Sequence, residues 1–223
     1  MKKVPKVLIG ASLAAALMAS GSARAGTFKT INIDTDFSDW VGVPVVDSDA
    51  ADNVGGVDFA DTQIANDANF LYVRNTYHGT KSLSTFMGID IDENTATGFD
   101  VFDLGLIGQD AGWQNDFPFT SGTGVFNDGL GMSGDFFGSG AGLLDQFADS
   151  NSREMAISLD VLLNKDNSPL FPDNTIRILF WTDSAGSGGG DVSGVINYTL
   201  AVPEPASLAL LGLGGLAMLR RRR

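Results

Sequence analysis

Acidic and amide side chains that alternate after a short apolar run are the residues with the most evident chemistry. Asp90, Asp92 and Asn94 place oxygen atoms at every second position, which is how a Ca²⁺-binding loop begins. The run departs from an EF-hand, because threonine stands where that loop needs glycine and valine stands where it needs a bidentate glutamate. The spacing is typical of a Ca²⁺ loop of another kind or of a solvated acidic turn.

A second group combines a large aromatic ring with amide and carboxylate side chains. Trp113 stands beside Asn115 and Asp116, with Asp110 and Gln114 close by in the sequence. An aromatic face with such neighbours suits the apolar face and the hydroxyl rim of a sugar ring. Trp113, Asn115 and Asp116 are therefore candidate ligand-binding residues. In the alternative interpretation, the aromatic side chains anchor a long loop on the domain.

Few residues of this chain are suited to catalysis. There is no cysteine, His78 is the only histidine, and no G-x-S-x-G nucleophile elbow occurs. Between residues 26 and 201 there are two glutamates, Glu93 and Glu154. A carboxylate pair of the glycosidase kind stays open, because sequence does not give a distance in space. We predict a protein that is not an enzyme and has no catalytic residues, with a glycoside-active enzyme as an alternative.

Short runs of alternating apolar and polar residues, separated by glycine, asparagine and aspartate turns, predict strands. The runs 59–65 and 70–77 predict a hairpin with a polar turn, and 86–92 presents two distinct faces. About eight such runs indicate an all-β fold, an antiparallel β-sandwich of jelly-roll-like form. The glycine-rich stretch 108–142 and the segment 184–191 are expected to be irregular. Other alternating runs lie at 31–33, 102–106, 155–159, 176–180 and 196–200.

The N-terminus has the pattern of a secretory signal. Three lysines within the first six residues precede an apolar stretch over 7–19, and Ala23 and Ala25 supply a small-x-small cleavage site. We predict a signal helix within 1–25 that signal peptidase removes before Gly26. An uncleaved N-terminal anchor is the alternative.

The C-terminus carries a second signal, residues 202–223. Its apolar segment 206–219 covers roughly 21 Å as a helix, less than the hydrocarbon core of about 30 Å. It predicts a marginal transmembrane helix, with the terminal arginines on the cytoplasmic side. The candidate sorting residues on either side of this segment are Val202, Pro203, Glu204, Pro205, Arg220, Arg221, Arg222 and Arg223.

This tail resembles the PEP-CTERM sorting signal of Gram-negative bacteria. The resemblance implies cutting near Pro203-Glu204-Pro205 by the membrane protease-transpeptidase exosortase, and an association with extracellular polysaccharide. It implies a precursor held transiently in the inner membrane and then a protein of the cell surface or extracellular matrix. A plain tail anchor is the alternative.

The domain between the two signals, residues 26–201, is strongly acidic. It holds six basic and 26 acidic residues, a net charge of −20, and no cysteine that could form a disulfide. Such a charge repels phosphates, which excludes nucleic acid and anionic lipid as partners. It favours divalent cations, with Ca²⁺ as the candidate cofactor. Solubility of an exported protein is the alternative reason for the acidity.

Over about 31–200 the sequence resembles carbohydrate-binding module family 9 and DOMON-like domains. The matching motifs are IDTDFSDW at 33–40, AND at 65–67, IDID at 89–92 and EMAISL at 154–159. Thr35 stands where glycine is usual in the first motif. Trp40 is expected in the core, with a sugar platform as the alternative.

The resemblance to family 9 implies a sugar-binding β-sandwich with one bound ion. A strand end would feed a loop that wraps this ion, with Asp90, Asp92, Asn94 and Asp100 as ligands.

Together these features predict an exported, non-catalytic surface or matrix protein. Its sandwich would bind polysaccharide, with Ca²⁺ as a structural ion. A purely structural or adhesive matrix component without a sugar site is the alternative.

Overall fold

A computed structural model describes residues 24–53, 56–79, 85–115, 117–133, 151–182 and 191–202. Within these ranges the chain forms short strands and two 3₁₀ helices, Phe37–Trp40 and Val101–Asp103. The strands are β1 (Arg24–Ala25), β2 (Val45–Ser48), β3 (Phe59–Asn66), β4 (Phe70–Tyr77), β5 (Thr85–Asp90), β6 (Phe99–Asp100), β7 (Gly108–Gln109), β8 (Ala111–Gln114), β9 (Phe117–Thr120), β10 (Met132–Ser133), β11 (Ser152–Ser158), β12 (Leu162–Leu163), β13 (Thr175–Thr182) and β14 (Ile196–Thr199).

The strands form two main sheets. One has six strands in the order β1-β14-β13-β5-β8-β9, and the other has four in the order β11-β4-β3-β2. The short pairs β10/β12 and β6/β7 stand beside them. Every pairing between these strands is antiparallel except that of β1 with β14. The prediction of an all-β, antiparallel fold is confirmed.

Strands β3 and β4 form the predicted hairpin. Its polar turn is held by Asp67, whose Oδ1 accepts hydrogen bonds from the backbone N–H groups of Asn69 and Phe70 at 2.8 and 2.9 Å. Aspartate commonly stabilises a turn in this way. The local sequence therefore determines both the strands and the turn that joins them.

Alternation in β5 decides which side chains enter the main core. Met87 and Ile89 are at most 1% exposed. They belong to a hydrophobic cluster that also contains Leu71 and Val73 of β4 and Ile157 of β11. Because both sheets contribute side chains to this cluster, they pack face to face as the layers of a β-sandwich do. Each such aliphatic side chain contributes roughly 1.5–3 kcal/mol through burial.

Segment 31–43 covers the outer face of the four-stranded sheet. Trp40 is buried there against Tyr72 of β4 and Ala156 of β11, which confirms its expected place in the core. The strand predicted at 31–33 is wrong, because the structure has no strand at these residues. Their apolar side chains pack from an irregular segment onto a sheet face.

Segment 99–107 covers part of the outer face of the six-stranded sheet. Val101 packs there against Leu179 of β13. The strand predicted over 102–106 is wrong, because the chain enters a 3₁₀ helix in which Phe102 has a φ of 56°. Both sheets therefore bury apolar residues on two faces.

The irregular stretch predicted over 108–142 is wrong for most of 108–120, whereas 121–131 is irregular as predicted. Strands β7 to β10 lie in it, and β8 and β9 extend the six-stranded sheet. Gly112 hides the alternation of β8 because it has no side chain. A Cβ atom at Gly112 would lie 2.4 Å from the carbonyl oxygen of Met87, so close packing of β8 on β5 requires glycine here.

Several sequence predictions lie outside the described residues. These are the signal helix within 1–25, of which only the last two residues are described, the irregular loop at 184–190 and the C-terminal transmembrane helix. Among the described residues, no helix is long and apolar enough to cross a membrane.

Candidate functional site

Three carboxylates converge where β5 ends and β8 begins. Asp90 is the last residue of β5, Asp92 follows it, and Asp110 lies between β7 and β8. One oxygen from each of these side chains lies within 4.8 Å of the others. We refer to Asp90, Asp92 and Asp110 as the acidic cluster. Carboxylate oxygens at this spacing fit a hard cation such as Ca²⁺.

Asp90 is fully buried, and both of its oxygens accept hydrogen bonds. Oδ2 accepts from Arg177 at 2.8 Å and from the backbone N–H of Gly108 at 3.2 Å, and Oδ1 accepts from the backbone N–H of Asn94 at 3.1 Å. Burial raises the pKa of Asp90, and the neighbouring Asp110 carboxylate adds to the rise, against Arg177 and the backbone donors. Arg177 therefore neutralises part of the cluster's charge.

Asp110 and Asp92 complete the cluster in different surroundings. Asp110 is buried and its Oδ2 accepts from the backbone N–H of Ile91 at 2.9 Å. Burial raises the pKa of Asp110, and the charge of Asp92 raises it further. Asp92 is exposed, and its Oδ2 accepts from the hydroxyl of Thr97 at 2.8 Å. A cation would reach the cluster from the exposed Asp92 side.

The other two predicted ligands, Asn94 and Asp100, are not among the carboxylates that form the acidic cluster. The backbone N–H of Asn94 donates to both Asp90 and Asp92, while its side-chain oxygen accepts from Ala96. Asp100 is not among the carboxylates that converge, and its Oδ1 accepts from the backbone N–H of Gly105 at 2.8 Å. Asp110, rather than Asp100, supplies the third carboxylate of the acidic cluster. Sequence separation concealed Asp110, because it reaches the cluster from a different strand.

The structure contradicts the predicted role of Trp113 as a ligand-binding residue. Its side chain is 1% exposed and belongs to the core between the sheets. The ring cannot offer a face to a ligand in solution, because β8 directs it inward, opposite Met87 of β5. Asn115 lies in the turn after β8 with a φ of 54°, and its Oδ1 accepts from the hydroxyl of Thr85 at 3.3 Å. Asp116 lies outside the described residues.

The outer face of the six-stranded sheet carries an aromatic pocket of about 370 Å³. The rings of Phe86 and Trp181 stack at its base, with centroids 5.1 Å apart and planes 8° from parallel. Phe126 stands edge-on to Phe86 at 5.8 Å. The pocket is lined by Phe86, Phe99, Val101, Phe102, Gln114, Phe126 and Trp181.

The rim of the aromatic pocket is accessible while its base is not. Phe102 and Phe126 are 40% and 39% exposed, whereas Phe86 and Trp181 are 5% and 4% exposed. Glycine at position 88 allows the Trp181 ring to lie at the base of the pocket, because a Cβ atom there would be 2.7 Å from that ring. Sequence reasoning missed the pocket, since its residues come from five separate segments with no shared spacing.

Glu154 is unsuited to the glycosidase pair that the sequence left open. It is fully buried, and its Oε1 accepts from the backbone N–H groups of Asp34 and Thr35 at 3.0 and 2.7 Å. Its Oε2 accepts from Nε1 of Trp40 at 2.8 Å. With both oxygens engaged beneath segment 31–43, this carboxylate holds the fold together rather than facing a substrate.

The C-terminal tail has a recognisable identity. Residues 201–223 match the PEP-CTERM protein-sorting motif, as the sequence resemblance implied. The motif indicates an exported protein that is sorted to the cell surface. No curated protein matches the chain.

The described fold is similar to carbohydrate-binding module family 9 structures from Caldicellulosiruptor kristjanssonii. The complex with cellotriose has a TM-score of 0.49 and 12% identity, covering 83% of this chain and 96% of that chain. The complex with glucose has a TM-score of 0.47 and 13% identity, covering 82% and 98%. The likeness concerns fold, and no site residue of this chain is assigned from it.

Proposed function

We propose that this chain is an exported, non-catalytic surface or matrix protein whose β-domain binds neutral polysaccharide in the aromatic pocket. The observation that carries the proposal is an accessible rim of aromatic rings above a stacked Phe86–Trp181 base. Signal peptidase would remove residues 1–25, and exosortase would process the tail in the inner membrane of a Gram-negative cell. The sorting motif supports the route, and the pocket supports the activity.

The pocket has the chemistry that a pyranose ring requires. Sugar rings have an apolar face formed by C–H groups and an edge of hydroxyl groups. The exposed faces of Phe102 and Phe126 suit the former. Gln114, which is exposed at the rim, offers an amide that can donate to and accept from hydroxyls.

The electrostatics of the domain favour a neutral glycan over an acidic one. Its net charge of −20 repels uronate and sulfate groups over distances of about a Debye length, roughly 8–10 Å. None of the described residues that line the pocket is basic. An anionic sugar would therefore find no partner for its charge.

We further propose that the acidic cluster binds Ca²⁺ as a structural ion. Asp92 and Asp110 would each supply a carboxylate oxygen beside the hydrogen bonds that they accept from Thr97 and Ile91, and Asp90 would contribute beside its bond to Arg177. The ion would relieve repulsion among the three carboxylates, which is the physical gain. Asn94 and Asp100 are secondary candidates, because the Asn94 amide carries no charge and Asp100 is not among the carboxylates that converge.

A structural or adhesive component remains the second candidate function. Exposed apolar side chains support it, since Leu104, Phe117 and Leu130 are 51%, 65% and 53% exposed. Such residues favour contact between proteins when they form a patch. Concentration-dependent self-association without glycan would favour this alternative.

Retention on neutral glycans tests the leading proposal. The chain spanning 26–201 is passed over immobilised cellulose, β-glucan and mannan, as wild type and as Phe126→Ala and Gln114→Ala. We expect both variants to lose at least tenfold in affinity, because each removes a contact with the sugar. Phe117→Ala is the matched control, since Phe117 is more exposed than Phe126 and does not line the pocket.

Melting temperatures separate binding from folding in this experiment. Loss of retention in a variant that melts like the wild type supports the pocket. Equal retention of Phe126→Ala, Gln114→Ala and Phe117→Ala would overturn the assignment of the site. No retention of the wild type on any neutral glycan would overturn the proposed activity.

A further inference from the structure

One buried side chain joins the two ends of the described domain. Asn66, at the end of β3, is 1% exposed. Its backbone N–H donates to the carbonyl of Thr27 at 3.0 Å, and its carbonyl accepts from the N–H of Lys29 at 2.9 Å. Its side-chain Nδ2 donates to the carbonyl of Ala201 at 2.9 Å, and Oδ1 accepts from the N–H of Ala201 at 2.7 Å. We call the bonds between Asn66 and these residues the Asn66 clamp.

Packing around the clamp leaves little freedom at either end. Tyr198 donates its hydroxyl to Oδ1 of Asn66 at 3.1 Å and accepts from the N–H of Thr27 at 3.1 Å. A Cβ atom at Gly26 would lie 2.3 Å from the carbonyl oxygen of Thr199. The backbone immediately after the predicted signal-peptide cut therefore lies against the end of β14.

The clamp reaches the first residue of the sorting motif. The matched motif begins at residue 201, and both backbone hydrogen-bonding groups of Ala201 are engaged by Asn66. Pro203 stands two residues later in the sequence, and two extended residues span about 7 Å at most. The folded domain and the motif are therefore joined without a spacer.

We propose that the Asn66 clamp restrains processing of the tail, so that Ala201 must be released before the sorting enzyme can engage the motif fully. Proteins that bind an extended peptide commonly do so through its backbone N–H and C=O groups. In the folded domain those groups of Ala201 are occupied. The inference rests on the exosortase processing proposed above and names a residue of this chain that controls its rate.

The chemistry of the cut is not altered by the clamp. One backbone C–N bond breaks, and the acyl end passes to water or to an amine acceptor. The departing nitrogen takes up the proton that the acceptor loses. Asn66 acts earlier, as a positioning residue that sets how often the segment before the bond is accessible.

Pulse–chase labelling of the full chain in an exosortase-containing Gram-negative host tests the restraint. The readout is the rate at which precursor becomes processed protein. Four chains are compared: wild type, Asn66→Ala, an insertion of eight Gly/Ser residues between Ala201 and Val202, and both changes together. We expect the insertion to speed processing on the order of tenfold, since it gives the motif a free approach without disturbing the clamp.

The combination of changes separates a positioning role from simple destabilisation. Asn66→Ala alone is expected to speed processing by a similar factor, and to add no further gain in the chain with the insertion. Asn75→Ala is the matched control, because Asn75 is a buried asparagine on the neighbouring strand β4 whose side-chain Nδ2 and Oδ1 have no hydrogen-bond partner among the described residues. It is expected to leave the processing rate unchanged.

Three results would overturn the restraint. They are an unchanged rate with the insertion, an equal acceleration by Asn75→Ala, and a further acceleration by Asn66→Ala when the insertion is present. Glu204→Ala distinguishes this failure from failure of the proposed sorting. If Glu204→Ala is processed like the wild type, the motif itself is not used, and the sorting route falls together with the restraint.

Discussion

Nε1 of Trp40 donates a 2.8 Å hydrogen bond to Oε2 of Glu154, across 114 residues of sequence. Both side chains are buried on the outer face of the four-stranded sheet. The other oxygen of Glu154 accepts from the backbone of Asp34 and Thr35. One carboxylate thus fixes the segment that covers this sheet. Arg74, the cross-strand partner of Glu154, packs on the same segment with its guanidinium 4.6 Å from the centre of the Phe37 ring.

Replacing this carboxylate should loosen the covering segment. In Glu154→Gln, the new NH₂ group would face either the indole N–H or the two backbone N–H groups. Hydrogen-bond donors would then face each other without an acceptor between them. We expect a loss of about 1.5–3 kcal/mol in the free energy of unfolding, measured by urea denaturation. Glu93→Gln is the control, because Glu93 is the exposed glutamate of the domain. Equal stability of the two variants would contradict the role of Glu154.

Thr35 has a φ of 68°, in the left-handed region that disfavours branched side chains. Glycine adopts this conformation without the steric cost that a side chain brings. We expect Thr35→Gly to raise the free energy of unfolding by about 1 kcal/mol. Thr123→Gly, at an exposed position without positive φ, is expected to give no gain. A decrease in stability for Thr35→Gly would argue against the conformation described.

Stability should fall as pH rises through the weakly acidic range. Burial raises the pKa values of Asp47, Asp49, Asp90, Asp110 and Asp191 above the ordinary 3.8. Between 3.8 and each raised pKa, the folded state keeps a proton that the unfolded chain has lost. The folded state then binds more protons, so the free energy of unfolding decreases with rising pH in this window.

Melting curves in chelator between pH 4.5 and 8 measure this effect. The melting temperature should be highest at the acid end, and Asp110→Asn should flatten the profile. Asp67 acts in the opposite direction. Burial raises its pKa, but hydrogen bonds from the Tyr72 hydroxyl and from backbone N–H groups outweigh burial and lower it. A melting temperature that rises steadily from pH 4.5 to 8 would contradict the raised pKa values, because Asp67, with a pKa below 3.8, stays ionised throughout this range and cannot cause such a rise.

Calcium should stabilise the domain through the acidic cluster. At 100 times its Kd, one ion bound to the folded state adds about 2.7 kcal/mol. Asp92→Asn should reduce this gain because it removes the negative charge of the exposed ligand. Asp166→Asn, an exposed substitution outside the cluster, should retain it. Titration calorimetry and melting in millimolar Ca²⁺ provide the measurements, and identical melting in chelator and in Ca²⁺ would remove the proposed site.

Trp113→Ala should damage folding rather than ligand binding. Its ring fills the core between the sheets, so truncation is expected to cost about 3–5 kcal/mol. Differential scanning calorimetry measures the loss. A variant that keeps wild-type stability but loses glycan retention would return Trp113 to a ligand-binding role.

Local patterns in the sequence predicted the elements that depend on near neighbours. The β3–β4 hairpin follows from alternation and from one turn aspartate, and β5 shows its two faces directly. Strand β8 was missed because Gly112 interrupts the alternation that would have assigned Trp113 to the core. A glycine chosen for close packing and a glycine chosen for a loop are identical in sequence.

Features assembled from distant segments could not be predicted. The aromatic pocket depends on Gly88 admitting Trp181 of β13 onto β5, which no spacing encodes. The acidic cluster was predicted in part, because Asp90 and Asp92 are neighbours in sequence. Asp110 reaches it only through the pairing of the sheet.

The Asn66 clamp also bears on how the chain of this domain could be reconnected by circular permutation. Because Gly26 and Ala201 lie side by side, a short Gly-Ser bridge could close the backbone into a ring. Reopening that ring in the exposed turn between Thr123 and Gly124 would give a circular permutant that keeps every strand except β1. The new termini of such a molecule would lie close in sequence to Phe126 of the aromatic pocket and far in sequence from the sorting tail.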